Sequence, residues 1–114
     1  MPVKNGTKFL EACLDSILCQ SIDCWELLVV NDNSTDDTLV LLNKYAKKDN
    51  RIKVFSNQGS GIIDALSLAY SKSSGELITR MDADDIMEEK KLEILSKNII
   101  SKGSGNVATG LVKY

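Results

Sequence analysis

From Thr7 to Gln20 the apolar residues Phe9, Leu10, Cys13, Leu14, Ile17 and Leu18 recur at the spacing of a helix with one buried face. Trp25-Glu-Leu-Leu-Val-Val30 follows, a short β-rich run with too few polar positions for a strand wetted on one side. It ends at Asn31-Asp-Asn-Ser34, where Ser34, with Asp37 three residues on, predicts a helix N-cap of capping-box type. The helix carries Leu39, Val40, Leu42, Asn43 and Tyr45 until Lys48-Asp-Asn50 breaks it. Ile52-Lys-Val-Phe55 reads as the next strand, and Asn57-Gln-Gly-Ser-Gly61 turns into a helix bearing Ile62, Ile63, Ala65, Leu66, Ala69 and Tyr70. Ser73-Ser-Gly75 stops that helix. Glu76-Leu-Ile-Thr-Arg-Met81 predicts another strand, running into Asp82-Ala-Asp-Asp85. Leu92, Leu95, Ile99 and Ile100 mark one more amphipathic helix, and Asn106 to Val112 a last strand.

Strands that alternate with helical segments call for crossover connections and a mainly parallel sheet with helices on its faces, a three-layer α/β/α domain. Ligands of such sheets sit beyond the carboxyl ends of the strands. Two of the predicted strand ends carry acidic groups, at Asp32 and at Asp82 to Asp85. The chain opens on Met-Pro-Val-Lys-Asn-Gly, which reads as a strand-to-helix loop without its strand.

Composition narrows the chemistry. The 114 residues suit one domain with one core, and the net charge of −2 gives no electrostatic footprint for a nucleic-acid binder. There is no histidine, which excludes Ser-His-Asp and Cys-His mechanisms and every His-ligated zinc site. Cys13, Cys19 and Cys24 are odd in number and lack a C-x-x-C spacing, so a reducing, cytoplasmic setting is expected, with Cys13 as a small buried hydrophobe. No apolar run is long enough for a membrane span, and no charged-then-apolar leader is present.

Alternate carboxylates just past a strand, as in Asp82-Ala-Asp84-Asp85, can converge on a divalent cation. Mg²⁺ or Mn²⁺ typically takes one or two protein carboxylates and fills its remaining positions with phosphate oxygens and water. A plainer reading is that these residues cap the following helix and complement its dipole. An EF-hand register fails, because Met87 stands where that loop demands glycine. A haloacid-dehalogenase-like phosphatase also has an Asp-x-Asp after an apolar strand, but there a long chain follows the pair. Asp32 fits either simple turn chemistry or a carboxylate that accepts a hydrogen bond from a nucleobase imide or a ribose hydroxyl. Gly59 and Gly61 would let main chain approach a ligand, Arg80 would offset the acidic cluster, and Lys90 and Lys91 would solvate a helix face.

The succession PVKNGTKFLEACLDSILCQ, WELLVVNDNSTDDT, RIKVFSNQGSGIIDAL and SGELITRMDADDI resembles the family 2 glycosyltransferases, the large inverting group with the GT-A fold. The resemblance spans essentially the whole chain. It implies transfer of a sugar from a nucleotide-diphosphate donor, with a UDP-sugar favoured, to a hydroxyl of a glycan or lipid-linked acceptor in polysaccharide assembly. Position by position, Pro2 and Val3 match the loop lining the nucleoside pocket, and Asp32 the base-contacting aspartate. Asp82 and Asp84 match the Asp-x-Asp motif, Asp82 near the ribose or the metal shell and Asp84 as the direct ligand of Mn²⁺ or Mg²⁺. Ala83 would offer main chain beside the ribose, and Asp85 a supporting or capping carboxylate.

Three departures stand out: Lys4 where the family usually has Tyr, Asn31 in place of the first Asp of an acidic pair, and Glu89 where Pro is usual. The family's catalytic base comes from a later segment, and no residue here matches it. The expectation is therefore a single unit over residues 1–114 that supplies the donor-and-metal part of a GT-A domain, with the first strand and the acceptor half missing. Such a part would be inactive alone, and in a full-length protein it would sit in the cytoplasm or against the inner face of the membrane. The rival from another class is a non-catalytic nucleotide-sugar-binding module on the same fold.

Overall fold

Leu27 to Val30 carries no polar side chain, and the structure gives this strand a neighbour on each edge and helices on each face. The computed structural model describes residues 1–103. Its elements are β1 (Pro2–Val3), α1 (Leu10–Leu18), β2 (Leu27–Asn31), α2 (Thr38–Lys48), β3 (Ile52–Ser56), α3 (Ile62–Lys72) and α4 (Lys91–Lys102). The sheet is parallel in the order β1-β2-β3, with Pro2 opposite Val30 and Leu27 opposite Ile52.

Side chains alternate across β2 as a strand's pleat requires. Leu27 and Val29 face the larger core with Leu10, Cys13, Leu14 and Ile17 of α1 and Leu42 and Tyr45 of α2. Leu28 and Val30 face Ala65 and Ala69 of α3. This explains why β2 reads as an unbroken apolar run: both of its faces are covered. The small residues Ala65 and Ala69 let α3 lie close on its side of the sheet. Leu10, Leu14 and Leu42 are fully buried, each contributing about 1.5–3 kcal/mol of apolar transfer.

The three strands finish together. Asp32 N–H donates to Val3 O at 2.8 Å and Asn57 N–H to Asn31 O at 2.9 Å, one residue beyond each register. The segments after β1, β2 and β3 therefore leave the sheet from a common edge, the carboxyl end.

Four sequence expectations need correction. The opening residues do form a strand, a two-residue one paired with β2. The strand expected over Glu76–Met81 does not form; the segment is irregular, with Leu77 and Ile78 exposed and Met81 buried. No strand among the described residues pairs with this segment, and its Leu77 and Ile78 face solvent instead of a sheet. The first helix begins at Leu10, not Thr7, its first turn closed by Leu10 N–H on Gly6 O at 2.9 Å. Ser34 does not cap α2: its Oγ accepts from Asn5 N–H at 3.0 Å, and Asp36 accepts from Thr38 N–H at 3.1 Å instead. The last expected strand, Asn106 to Val112, lies outside the described residues. No helix among the described residues is long and apolar enough to cross a membrane.

Candidate functional site

Asp32 follows β2 directly, and its carboxylate is drawn inward, 6% exposed. Oδ1 accepts from Asn57 Nδ2 at 2.8 Å, and the Gly61 N–H reaches both oxygens, at 3.1 and 3.0 Å. Asn33 Nδ2 adds a longer contact of 3.4 Å. The Asn57 amide, helped by Gly61, Lys4 and Asn33, holds the carboxyl below the usual carboxylate range against the opposing effect of burial. Asp32 thus joins the carboxyl end of β2 to the start of α3 and stays ionised. A carboxylate has about four acceptor positions, and Oδ2 takes only the Gly61 N–H among the described residues, so capacity remains for a ligand donor.

The glycines of this loop differ in purpose from the sequence expectation. Gly61 sits at φ 92° and ψ 169°, a conformation glycine alone adopts readily, and this aims its N–H at Asp32 rather than at a ligand. A Cβ on Gly59 would lie 2.2 Å from Asp64 Oδ2, so that glycine admits the Asp64 carboxylate, which accepts from Ser60 N–H at 3.2 Å.

Pro2 is half-buried and Val3 is 4% exposed, its side chain packed into the core. A Cβ on Gly6 would come within 2.7 Å of Val3 Cγ2. What this edge can offer a nucleoside is therefore backbone and the loop beyond it. Asn31, opposite Val3, is buried with its Oδ1 unpartnered among the described residues.

Polar residues that the sequence reading passed over tie the loops after β1 and β2 together. Thr35 N–H donates to Asn5 Oδ1 at 2.8 Å, Gly6 N–H to Thr38 Oγ1 at 2.8 Å, and Thr7 Oγ1 to Asp36 Oδ2 at 2.9 Å. Asp36 also accepts from the Thr38 hydroxyl, and its carboxyl is held low, chiefly by that bond. Asn5 and Asn33 both lie in the left-handed region, at φ 50° and 54°, where asparagine is among the few tolerated side chains. That preference was the available sequence signal.

The acidic loop is clamped onto α1. Met81 and Met87 bury their side chains on either side of it, each 5% exposed. The Cys13 thiol points to Asp82 O at 3.6 Å, Met87 N–H donates to Ser16 Oγ at 2.9 Å, and Gln20 Nε2 donates to Glu88 O at 2.7 Å. Gln20 Oε1 accepts from Leu92 N–H at 3.1 Å, which carries the clamp into α4. Burial first, then Asp85 and Asp84, push the Cys13 thiol up to about 11, so it stays neutral, and it is fully buried as the small hydrophobe the sequence predicts. Ser16 and Gln20 were invisible as site residues, because nothing in a helical pattern says which loop lands on it.

Arg80 grips Asp82 with its Nε at 3.0 Å and its Nη2 at 3.0 and 3.2 Å. The pair is exposed, 55% and 44% by side chain, which puts its strength near or below about 1 kcal/mol. Asp84 and Asp85 are exposed, and neither carboxylate makes a hydrogen bond or ion pair among the described residues. No three His, Cys, Asp or Glu side chains of the described residues gather closely enough to hold a metal by themselves. The donors present are hard carboxylate oxygens in ones and twos. That suits a cation whose shell is completed by phosphate and water, not a closed protein cage.

Asp32 and Asp82 share no hydrogen bond or ion pair among the described residues, yet their surroundings are connected through the first three residues and α1. Asp32 N–H bonds to Val3 O, and Met1 sulfur lies 3.7 Å from the Cys13 sulfur that also reaches Asp82 O. A chain of contacts through Met1 and Cys13 of α1 thus links the surroundings of the two acidic positions.

Residues 1–114 match the family described as Glycosyl transferase family 2. The chain belongs to that family. GlyA of Streptococcus pneumoniae is 34% identical over 100 residues, which cover 88% of this chain and 14% of GlyA. The putative teichuronic acid biosynthesis glycosyltransferase TuaG of Bacillus subtilis is 36% identical over 93 residues, 81% of this chain and 37% of TuaG. The chain thus spans well under half of these relatives. Among solved structures, S. aureus TarS 1–349 in complex with UDP-GlcNAc superimposes with a TM-score of 0.80 at 29% identity, over 88% of this chain and 30% of that one. The family 2 chain therefore has the GT-A-like fold that its sequence implied.

Proposed function

We propose that the chain is the donor-binding part of a family 2 glycosyltransferase, holding a nucleotide-diphosphate sugar with a divalent cation for inverting transfer to an acceptor hydroxyl. The observation that carries this is a buried, ionised Asp32 at the carboxyl end of a parallel sheet, on a chain that matches the family throughout. The UDP-GlcNAc complex of TarS supports a UDP-sugar as donor.

In this reading Asp32 accepts a hydrogen bond from the base imide through Oδ2, and Asn57 and Gly61 hold it ionised and oriented for that task. Pro2 and Val3 border the nucleoside with main chain. Asp82 turns from Arg80 toward the ribose or the cation, a move that an exposed ion pair permits at small cost. Ala83 lends main chain beside the ribose, and its half-buried methyl keeps the loop seated on the core. Asp84 would be the direct ligand of Mn²⁺ or Mg²⁺, with Asp82 sharing the shell. A bound cation would supply charge neutralisation on the diphosphate leaving group. Arg80, released from Asp82, would leave a second positive charge beside the acidic loop. The general base that deprotonates the glycan or lipid-linked acceptor is assigned to sequence outside these residues, so the 114 residues alone bind donor without transferring sugar.

A thermal-shift panel of UDP-, GDP- and dTDP-sugars, each with and without Mn²⁺, tests this. One nucleotide class should raise Tm, more so with Mn²⁺, and Asp84→Asn should remove the Mn²⁺-dependent part. A flat panel would refute donor binding.

A further inference from the structure

We propose that Asn5 and Thr7 are positioning residues: they lock the loop after β1 onto the loop after β2, and this sets the spacing of the nucleoside pocket. The inference rests on the donor-binding reading above and deepens it. Neither residue touches the proposed ligand groups; each acts through the opposite loop.

The backbone ladder stops at the bond from Asp32 N–H to Val3 O. Beyond it the two chains part, and only side chains hold them together. Asn5 stands two positions after Val3, accepts from Thr35 N–H at 2.8 Å through Oδ1, and donates its own N–H to Ser34 Oγ at 3.0 Å. Thr7 donates its hydroxyl to Asp36 Oδ2 at 2.9 Å, with its N–H at 3.4 Å from the same oxygen. Asp36 turns its other oxygen to Thr38, at the start of α2. The result is a zip of reciprocal bonds, backbone to side chain in both directions, between loops that flank Val3 and Asp32.

Most of these bonds are exposed, with only those to Thr38 half-buried. Water competes for exposed bonds, so each adds little to global stability. What they fix is geometry. Asn5 at φ 50° and Asn33 at φ 54° turn both loops sharply at the pocket's rim. With the zip open, the loops can separate without unfolding the sheet, and a ligand must then re-close them at the expense of its own affinity.

Three substitutions separate positioning from general damage. Thr7→Val keeps shape and removes the hydroxyl, Thr7→Ser restores it, and Asn5→Gly keeps the left-handed backbone while removing the acceptor for Thr35. Each is made in the 114-residue chain and titrated calorimetrically, with Mn²⁺, against whichever of UDP, GDP and dTDP the wild type binds. Thr7→Val and Asn5→Gly should weaken binding roughly tenfold, Thr7→Ser should stay within about twofold of wild type, and Tm should scarcely change. Wild-type affinity in Thr7→Val and Asn5→Gly overturns the inference and leaves donor binding intact. So does an equal loss in Thr7→Val and Thr7→Ser, or a loss matched by a large fall in Tm. A wild type that binds none of the three nucleotides overturns both readings together.

Discussion

Asp32 and Gly61 constrain each other: the carboxylate needs a donor at the head of α3, and only a residue at φ 92° turns its N–H that way. Gly61→Ala meets no steric clash, since nothing lies within 4 Å of a Cβ there, but it would carry a backbone conformation that costs a side-chain-bearing residue about 1–3 kcal/mol. Urea unfolding should report that loss, and unchanged stability would mean the loop has an easy alternative. Titration gives a second handle on single residues. Glu26 accepts from Lys53 Nζ at 2.9 Å and from Ser74 N–H and Oγ at 2.7 and 2.8 Å, which brings its carboxyl down to about 2. Asp32 and Asp36 are held low by their own donors. A carboxyl with a lowered folded pKa binds fewer protons in the native state, so its stabilisation is present above the unfolded value and fades as pH falls through the folded one. Tm should therefore drop on acidification below about pH 4.5, and Glu26→Gln should flatten part of that drop between there and about 2. An identical acid profile for the variant would show that Glu26 titrates alike in both states.

At the scale of elements, α1 does two jobs with two faces of one helix. Its apolar side, through Leu14 and Ile17, packs on the sheet, and its polar side, through Ser16 and the following Gln20, receives the acidic loop. Leu14→Ala should cost about 2–5 kcal/mol in urea unfolding, because the side chain is fully buried and its loss leaves a cavity. Ser16→Ala should instead loosen the loop locally. The Met87 amide would exchange with solvent much faster while global stability moved little, and unaltered exchange would mean that Ser16 is not what holds it. The same contrast explains what was legible beforehand. Helices and buried strands announce themselves by periodicity, so α1, β2, α2, β3, α3 and α4 could be read from residue order, and Asp32, Asp82 and Asp84 from their positions after apolar runs. Glu76–Met81 misled because a short run after the Ser73-Ser-Gly75 break reads as a strand, yet pairing depends on a neighbour, and no strand among the described residues takes it up. Ser34 misled because a capping residue and a cross-loop acceptor look alike until the other loop is known. The ties from Asn5, Thr7 and Asp36 were hidden for the same reason: each joins residues about 30 positions apart.

For the whole molecule, the first three residues and α1 link the two acidic positions. Val3 carries the backbone bond to Asp32, Met1 touches Cys13, and Cys13 touches the backbone of Asp82. The proposed nucleoside side and diphosphate side are thus connected through Met1 and through Cys13 of α1. Donor binding should therefore couple the two sides, protecting both the Asn33–Asp37 loop and the Asp82–Asp85 loop from exchange at once. The central claim is that these residues bind a nucleotide-diphosphate donor through a cation on Asp84. Calorimetric titration with UDP, with and without Mn²⁺, on the wild type and on Asp84→Asn, tests it most directly. A cation held on Asp84 requires one site per chain, tighter binding with Mn²⁺, and loss of that Mn²⁺ gain in Asp84→Asn with the metal-free affinity retained. Binding that ignores Mn²⁺, or an Asp84→Asn chain that keeps the full gain, would contradict it.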